Sequence, residues 1–166
     1  SGASQSTDKW DGTSWASSNN LNSYHLYTTG TGSASTAGLI ASGEGSPGAE
    51  IALTEKFDGT SWAEVADVNT GRASASASGN SNTAALMFGG TEPTPIAVTG
   101  IKTEEWNNTS WSNVGDLSTG RGSGGGHGTT TAAFFCGGNG LPWPTWLLIT
   151  EEFESPTYVI KTVTTS

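Results

Sequence analysis

The sequence predicts an all-β fold assembled from repeated four-stranded antiparallel units, and three observations carry that expectation. The first is an internal repeat. Trp10-Asp11-Gly12-Thr13-Ser14-Trp15 returns as Phe57-Asp58-Gly59-Thr60-Ser61-Trp62 and Trp106-Asn107-Asn108-Thr109-Ser110-Trp111, with a worn copy at Phe153-Glu154-Ser155-Pro156-Thr157-Tyr158. The leading aromatics are spaced 47, 49 and 47 residues apart; a period of that length marks an array of supersecondary units. The second is composition: Gly, Ser and Thr make up 71 of 166 residues, charged residues only 13%, and seven Trp stand among them. That mixture suits short strands joined by tight turns. The third is the lack of any stretch with helical periodicity and caps.

Each unit reads as four strands, A to D. Strand A is small and polar, as in Arg72 to Ser78 or Arg121 to His127. Strand B is a continuous apolar run closed by glycine, the pattern of a strand buried on both faces. Its copies are Leu39-Ile40-Ala41-Ser42-Gly43, Leu86-Met87-Phe88-Gly89-Gly90 and Phe134-Phe135-Cys136-Gly137-Gly138. Strand C leads into the Thr-Glu-aromatic segment, as from Ile101 to Trp106. Strand D starts at Trp62 or Trp111 and runs to Val68 or Leu117. Asp11-Gly12 and Asp58-Gly59 mark a tight C–D turn, because glycine supplies the positive φ such turns need. Asn107-Asn108 serves in the third copy, since Asn tolerates the left-handed region. Four antiparallel strands every 45–50 residues is the signature of propeller blades. Small side chains then belong at the crowded axis, and large aromatics in the wedges between blades.

These residues resemble the kelch family, whose pattern is an apolar run closed by a Gly pair and followed by a spaced aromatic and Trp. Gly89, Gly90, Trp106 and Trp111 fit that pattern, as do Gly137, Gly138, Phe153 and Tyr158. The likeness covers nearly the whole chain and departs at Ser42-Gly43 and at Tyr158. The Thr-Glu-Glu-aromatic, Asp-Gly-Thr-Ser-Trp and Thr-Gly-Arg wording is similar to the Ser/Thr-rich kelch-like arrays of marine tailed phages, especially cyanophages, often labelled galactose-oxidase-like. The units run over 22–68, 69–117 and 118–166, with strands C and D alone in 1–21. That is fourteen strands, or about three and a half blades in one propeller segment.

Composition narrows function. Four lysines and two arginines against 15 acidic residues give a net charge of -9. That disfavours a phosphate-binding nucleic-acid surface and docking on anionic membranes. One cysteine excludes an internal disulfide, and no apolar run approaches the ~20 residues of a membrane span. Residues 1–9 carry no signal-peptide pattern.

The candidate residues divide into structural and binding sets. Arg72 and Arg121, the only arginines, share one register position, where the first unit has His25. Asp8, Glu55, Glu104 and Glu151 share another. A repeated Arg–carboxylate bridge across strands is the expectation. Trp62, Trp111 and the Gly pairs are assigned to the framework. Cys136 stands where Phe88 and Ala41 stand and is expected as a small buried core residue. A copper oxidase site needs Cys–Tyr and two His in convergence; His25, His127 and Cys136 lie in unrelated registers, so no metal or other cofactor is expected. The Asp-Gly-Thr turns lack the alternating oxygen ligands of a calcium loop. No nucleophile–base arrangement is recognisable, and no catalytic residue or enzymatic activity is assigned.

The B–C loops, 44–50, 91–95 and 139–146, differ most between copies and would share one face of a propeller. Trp143 and Trp146 break the repeat, and with Pro142 and Glu92 they form the candidate binding set. The function expected is a structural or adhesive module of a phage virion, a tail fibre, appendage or decoration. It would be extracellular, with other virion proteins, further copies of itself, or a host-surface glycan or receptor as partners. A kelch-type interaction module or lectin of a cellular organism is the alternative. Three and a half blades cannot close a ring, so the 166-residue chain is expected to be a segment of a larger propeller or to assemble with other copies, and not to be a stable monomer.

Overall fold

The computed structural model describes residues 5–46, 48–91, 100–140 and 145–154, and the backbone of 159–163. These residues contain strands and turns and no helix. A hairpin of β1 (Thr7–Trp10) and β2 (Trp15–Ser18) comes first. Three four-stranded antiparallel sheets follow. The first has β3 (Thr29–Ala34), β4 (Ala37–Ala41), β5 (Thr54–Phe57) and β6 (Trp62–Val65) in sequence order. The second has β7 (Ser76–Ser81), β8 (Ala84–Phe88), β9 (Thr103–Trp106) and β10 (Trp111–Asn113). The third has β11 (Gly125–Gly128), β12 (Ala132–Cys136), β15 (Thr150–Glu154) and β16 (Val159–Val163). Between β12 and β15 lies a small hairpin of β13 (Asn139–Gly140) and β14 (Thr145–Trp146). The fourteen sheet strands expected are present in a β-propeller arrangement, and the β13–β14 hairpin is an addition the repeat did not announce.

Strand B alternates its side chains between two cores, which is why it is apolar throughout. Ala85 and Met87 pack with Leu39, Ala41, Val68, Trp106 and Trp111. Leu86 and Phe88 pack with Leu117, Ala133, Phe135 and Phe153. Each core is a wedge between consecutive sheets. Polar atoms at the wedges are matched as well: Trp62 Nε1 donates to Thr7 Oγ1 and Trp111 Nε1 to Thr54 Oγ1, each reaching the preceding sheet. Thr103 Oγ1 holds the third copy of that acceptor position and has no partner among the described residues. The matching donor position is residue 158, outside them.

Strand A begins later than expected. β7 opens at Ser76 and β11 at Gly125, so Arg72 and Arg121 belong to the connectors that enter each sheet. The reason is a bend with positive φ at Tyr27 (49°), Ser74 (55°) and Ser123 (57°), one register position in three units. The bends are linked from unit to unit: Ser74 N donates to Tyr27 O, and Ser123 N to Ser74 O, both at 2.9 Å. The inner strand is small for the reason expected. A Cβ on Gly126 would lie 2.5 Å from Ser76 Oγ and 2.6 Å from the Phe88 ring.

Cys136 departs from expectation. It is half-buried on the outer face of the third sheet, with its thiol 3.4 Å from Gly125 O. No described strand packs on that face, and Phe134, on the same side, is also exposed.

The Gly pair offers a clean test of packing against backbone preference. Gly89 and Gly137 share a left-handed backbone (φ 67° and 64°), yet a Cβ on Gly89 would meet Arg121 O at 2.5 Å and the Phe135 ring at 2.8 Å. On Gly137 the nearest atom is 3.7 Å away. Both substitutions to alanine incur the positive-φ penalty, on the order of 1 kcal/mol. Gly89→Ala should cost distinctly more than Gly137→Ala, read as the shift in urea midpoint; equal shifts would show that the crowding at Gly89 relaxes freely.

Candidate functional site

Two kinds of site emerge, one internal and repeated, the other on the loop face. The internal one is built around the strand-C carboxylate. Glu104 is fully buried. Its Oε2 accepts from Asn69 N and Asn69 Nδ2 at 2.7 and 2.8 Å; its Oε1 accepts from Thr70 N at 3.3 Å and Arg72 Nη1 at 3.0 Å. Arg72 Nη2 continues to Met87 O, and Asn69 Nδ2 to Trp111 O. One knot therefore ties the connector to strands B, C and D. Glu151 repeats it: Ser118 N and Thr119 N donate to its two oxygens, Arg121 Nη1 to Oε1, and Arg121 Nη2 to Phe135 O. Glu55 repeats it again with Asn22 and Ser23 as donors. Here His25 stands for the arginine: Nδ1 lies 3.0 Å from Ser42 O, and Nε2 lies 3.3 Å from Glu55 Oε1, off the line of a hydrogen bond.

Ser42, in place of the first glycine of the pair, keeps a left-handed backbone (φ 61°). Its hydroxyl offsets that strain by accepting from Arg72 N and sharing its one proton between two acceptors, Arg72 O at 2.7 Å and Ile51 O at 2.9 Å. The pair Ser42–Arg72 thereby locks one unit to the next, with Gly43 N also donating to Arg72 O.

The chemistry of the knots is structural. Burial pushes the Glu151 carboxyl up, but hydrogen bonds from the Arg121 guanidinium and from Ser118 outweigh it, holding the group below its ordinary 4.5. The folded-state value is depressed, so its stabilisation is fully present above about pH 4.5. It is lost as pH falls through the lower folded value. The Asp11 and Asp58 carboxylates are lowered too, first by the backbone N–H of Ser14 and Ser61. These are the C–D turns, where Gly12 and Gly59 take φ 100° and Asn108 takes 74°. The side chains of Asp11, Asp58 and Asn107 cap the turn amides, which accounts for the Asp-Gly-Thr-Ser wording without an ion. Among the described residues no three His, Cys, Asp or Glu side chains cluster as metal ligands. His25 sits in the first connector, and His127 packs edge-on against Phe134 in the third sheet.

The second site lies where the first B–C loop meets the first connector. An open groove of about 330 Å³ is lined by Gln5, Asn22, Ser23, Tyr24, Ser46 and Ile51, among others. Tyr24 is 40% exposed. It occupies the register of Gly71, where a Cβ would lie 2.8 Å from the Ile51 backbone. An aromatic at a position that a sister unit needs as glycine is not demanded by the blade. That substitution, Tyr24 against Gly71 and Gly120 of the sister units, is the signal in the sequence. Of the binding set, Trp146 is 74% exposed on β14, opposite Asn139 of β13. Trp143, Pro142 and Glu92 lie outside the described residues.

Two outcomes test this account of the knots. Arg121→Ala leaves Glu151 buried without its cation and should cost about 3–5 kcal/mol by chemical denaturation. By contrast, Lys102→Ala removes a half-exposed ion pair with Asp116 and should cost no more than about 1 kcal/mol. In pH-dependent melting, Glu151→Gln should lower stability at neutral pH and flatten the fall below about pH 4.5; a parallel acid limb would assign that fall to other carboxylates.

Comparison with known proteins gives the fold a counterpart. No protein-family model matches the chain, and no curated protein matches it. Among solved structures the chain is similar to one titled "Structure of YjhT", with a TM-score of 0.76 at 14% identity, over 90% of this chain and 49% of that one. The chain thus spans about half the length of that structure. The likeness at this identity is one of fold.

Proposed function

We propose that this chain is a non-enzymatic structural or adhesive module of kelch-like type that engages a partner through its B–C loop face. The carrying observation is the Tyr24 groove. Neutral amide and hydroxyl groups of Gln5, Ser23 and Ser46 line a concave site beside an exposed aromatic ring, while the Asn22 amide nitrogen is committed to Glu55 and Trp62 O. That combination suits a neutral glycan, whose hydroxyls exchange hydrogen bonds with side-chain amides while an apolar sugar face lies on the ring. A net charge of -9 disfavours polyanionic ligands. Trp146 supplies a second exposed aromatic on a B–C loop. The buried Glu and Arg side chains are spent on the knots, which supports a scaffold and not a catalyst.

The setting we propose is a phage particle, as part of a tail fibre, appendage or decoration; its support is the likeness of the repeat wording to phage-encoded arrays. Mass spectrometry of purified virions carrying the gene should find this chain, and its absence there would remove the setting while leaving the groove in place. For the groove itself, the wild-type protein should retain neutral glycans on an array. Tyr24→Ala should weaken that retention about tenfold or more, the equivalent of 1.4 kcal/mol, with its melting temperature unchanged. A wild-type chain that binds no neutral glycan, or a variant that binds as the parent does, would sink the reading.

A further inference from the structure

The hairpin β1–β2 carries an interaction surface whose partner can be specified from the chain's own repeats. In each complete sheet a strand-B residue faces the strand-C carboxylate: Ile40 faces Glu55, Met87 faces Glu104 and Phe135 faces Glu151. The basic residue of the knot stands 15, 15 and 14 residues before that residue, as His25, Arg72 and Arg121. Two residues after it comes the left-handed corner at Ser42, Gly89 or Gly137.

Asp8 holds the same register on β1 as these glutamates, but it is exposed, and among the described residues β1 pairs with β2 alone. The aromatic pair of this hairpin is exposed with it. Trp10 and Trp15 stack at 5.6 Å and are 45% and 70% accessible, whereas their counterparts Trp106 and Trp111 are 1% and 6%. Strand B covers Trp106: it sits opposite Ala85 of β8, and its indole N–H donates to Asn82 O in the β7–β8 turn.

We propose that the free edge of β1 docks a two-stranded hairpin of this same repeat type, an inner strand and an apolar strand, whose connector places an arginine on Asp8. The occupant's chemistry follows from three internal templates: Asn or Ser, next a small hydroxyl residue, and two positions further Arg or His, with the apolar strand 14–15 residues on and a left-handed corner beyond it. Charge complementarity points the same way, an exposed carboxylate at the register where Glu104 and Glu151 each hold an arginine. The added strand is β-augmentation, with main-chain bonds giving affinity and the Arg–Asp8 contact fixing register. A second copy of residues 1–166 does not fit. Its hairpins β3–β4, β7–β8 and β11–β12 are each already bonded to their own outer strands β5, β9 and β15.

The test grafts a copy of residues 69–96 directly before Ser1 of the full chain. Thr7 then follows the graft at the spacing at which Thr103 follows residue 69 in its own unit. The expected result is a blue shift of the tryptophan emission, from burial of Trp10 and Trp15. A melting temperature higher by about 5 °C or more should accompany it. Asp8→Ala should leave the ungrafted chain unchanged, since Asp8 is exposed there, and should remove most of the grafted chain's gain. Arginine→alanine in the graft, at the position copied from Arg72, should do the same. A graft without effect on emission or melting overturns the proposal, as does a gain indifferent to both substitutions. Light scattering closes the remaining route: an ungrafted chain that dimerises with its Trp emission already blue-shifted would assign the surface to a second copy.

Discussion

A buried carboxylate in strand C is the constraint on which the rest of the structure depends. Removing a carboxylate from water costs several kcal/mol unless it is paired and its lone pairs are satisfied. Around Glu104 that condition is met by two backbone amides, one side-chain amide and a guanidinium. Those donors are not decoration on a sheet that would form anyway. Asn69 and Thr70 must turn their amides inward, which fixes the path by which the chain leaves one sheet and enters the next. Arg72 must extend between strands B and C, which fixes the separation of connector and sheet. The charge has one seat, and the unit is assembled around it.

That seat explains features that look unrelated along the chain. The connector ends in a left-handed bend because the chain must turn sharply from the knot into the inner strand, as at Ser74 and Ser123. The corner after strand B is left-handed because Gly90 N and Gly43 N reach across to Arg121 O and Arg72 O. The arginine thus serves two units: its side chain closes the knot of its own sheet, and its main chain anchors the corner of the sheet before. This double duty couples neighbouring units, so cooperativity in the array runs through the same residue that satisfies the buried charge.

How much of this was legible in the sequence depended on whether a residue type had a single physical reason to recur. The two arginines and the Thr-Glu register had such a reason, and their positions alone implied the bridge. The C–D turns were legible because Gly12, Gly59 and Asn108 are residue types that accept positive φ. The start of strand A was not. Arg72-Ala73-Ser74-Ala75 has strand-like composition, and the bend at Ser74 is imposed by a bond to Tyr27 O that composition cannot reveal. Asn69 was equally opaque, because its amide does the work of a backbone donor at a position that reads as loop. Cys136 was misplaced because the register placed it in a wedge, while burial there depends on a covering sheet. The Tyr24 groove was not legible, because an aromatic in place of Gly71 and Gly120 marks where the repeat departs and not whether a concave surface forms beside it.

The degeneracy of the first unit then acquires a physical meaning. Repeats drift where the fold no longer constrains them, and the constraint at the Gly71 register is contact with a neighbouring unit's backbone. In the first connector Gln5 O accepts from Leu21 N, as Ala52 O does from Val68 N and Ile101 O from Leu117 N, and the Gln5 side chain donates to Asn22 O. Tyr24 stands between Ser23 and His25 of the Glu55 knot, and the bonds from Asn22 and Ser23 to Glu55 are intact around it. A repeat architecture thereby separates two demands that compete in ordinary domains. The knots draw on the connectors and not on the B–C loops, so side chains on those loops can change without reference to the buried charge. The same separation makes an unfinished unit readable: the β1–β2 hairpin keeps the carboxylate and aromatic pair of a complete one, and their exposure defines the shape and charge of what belongs there.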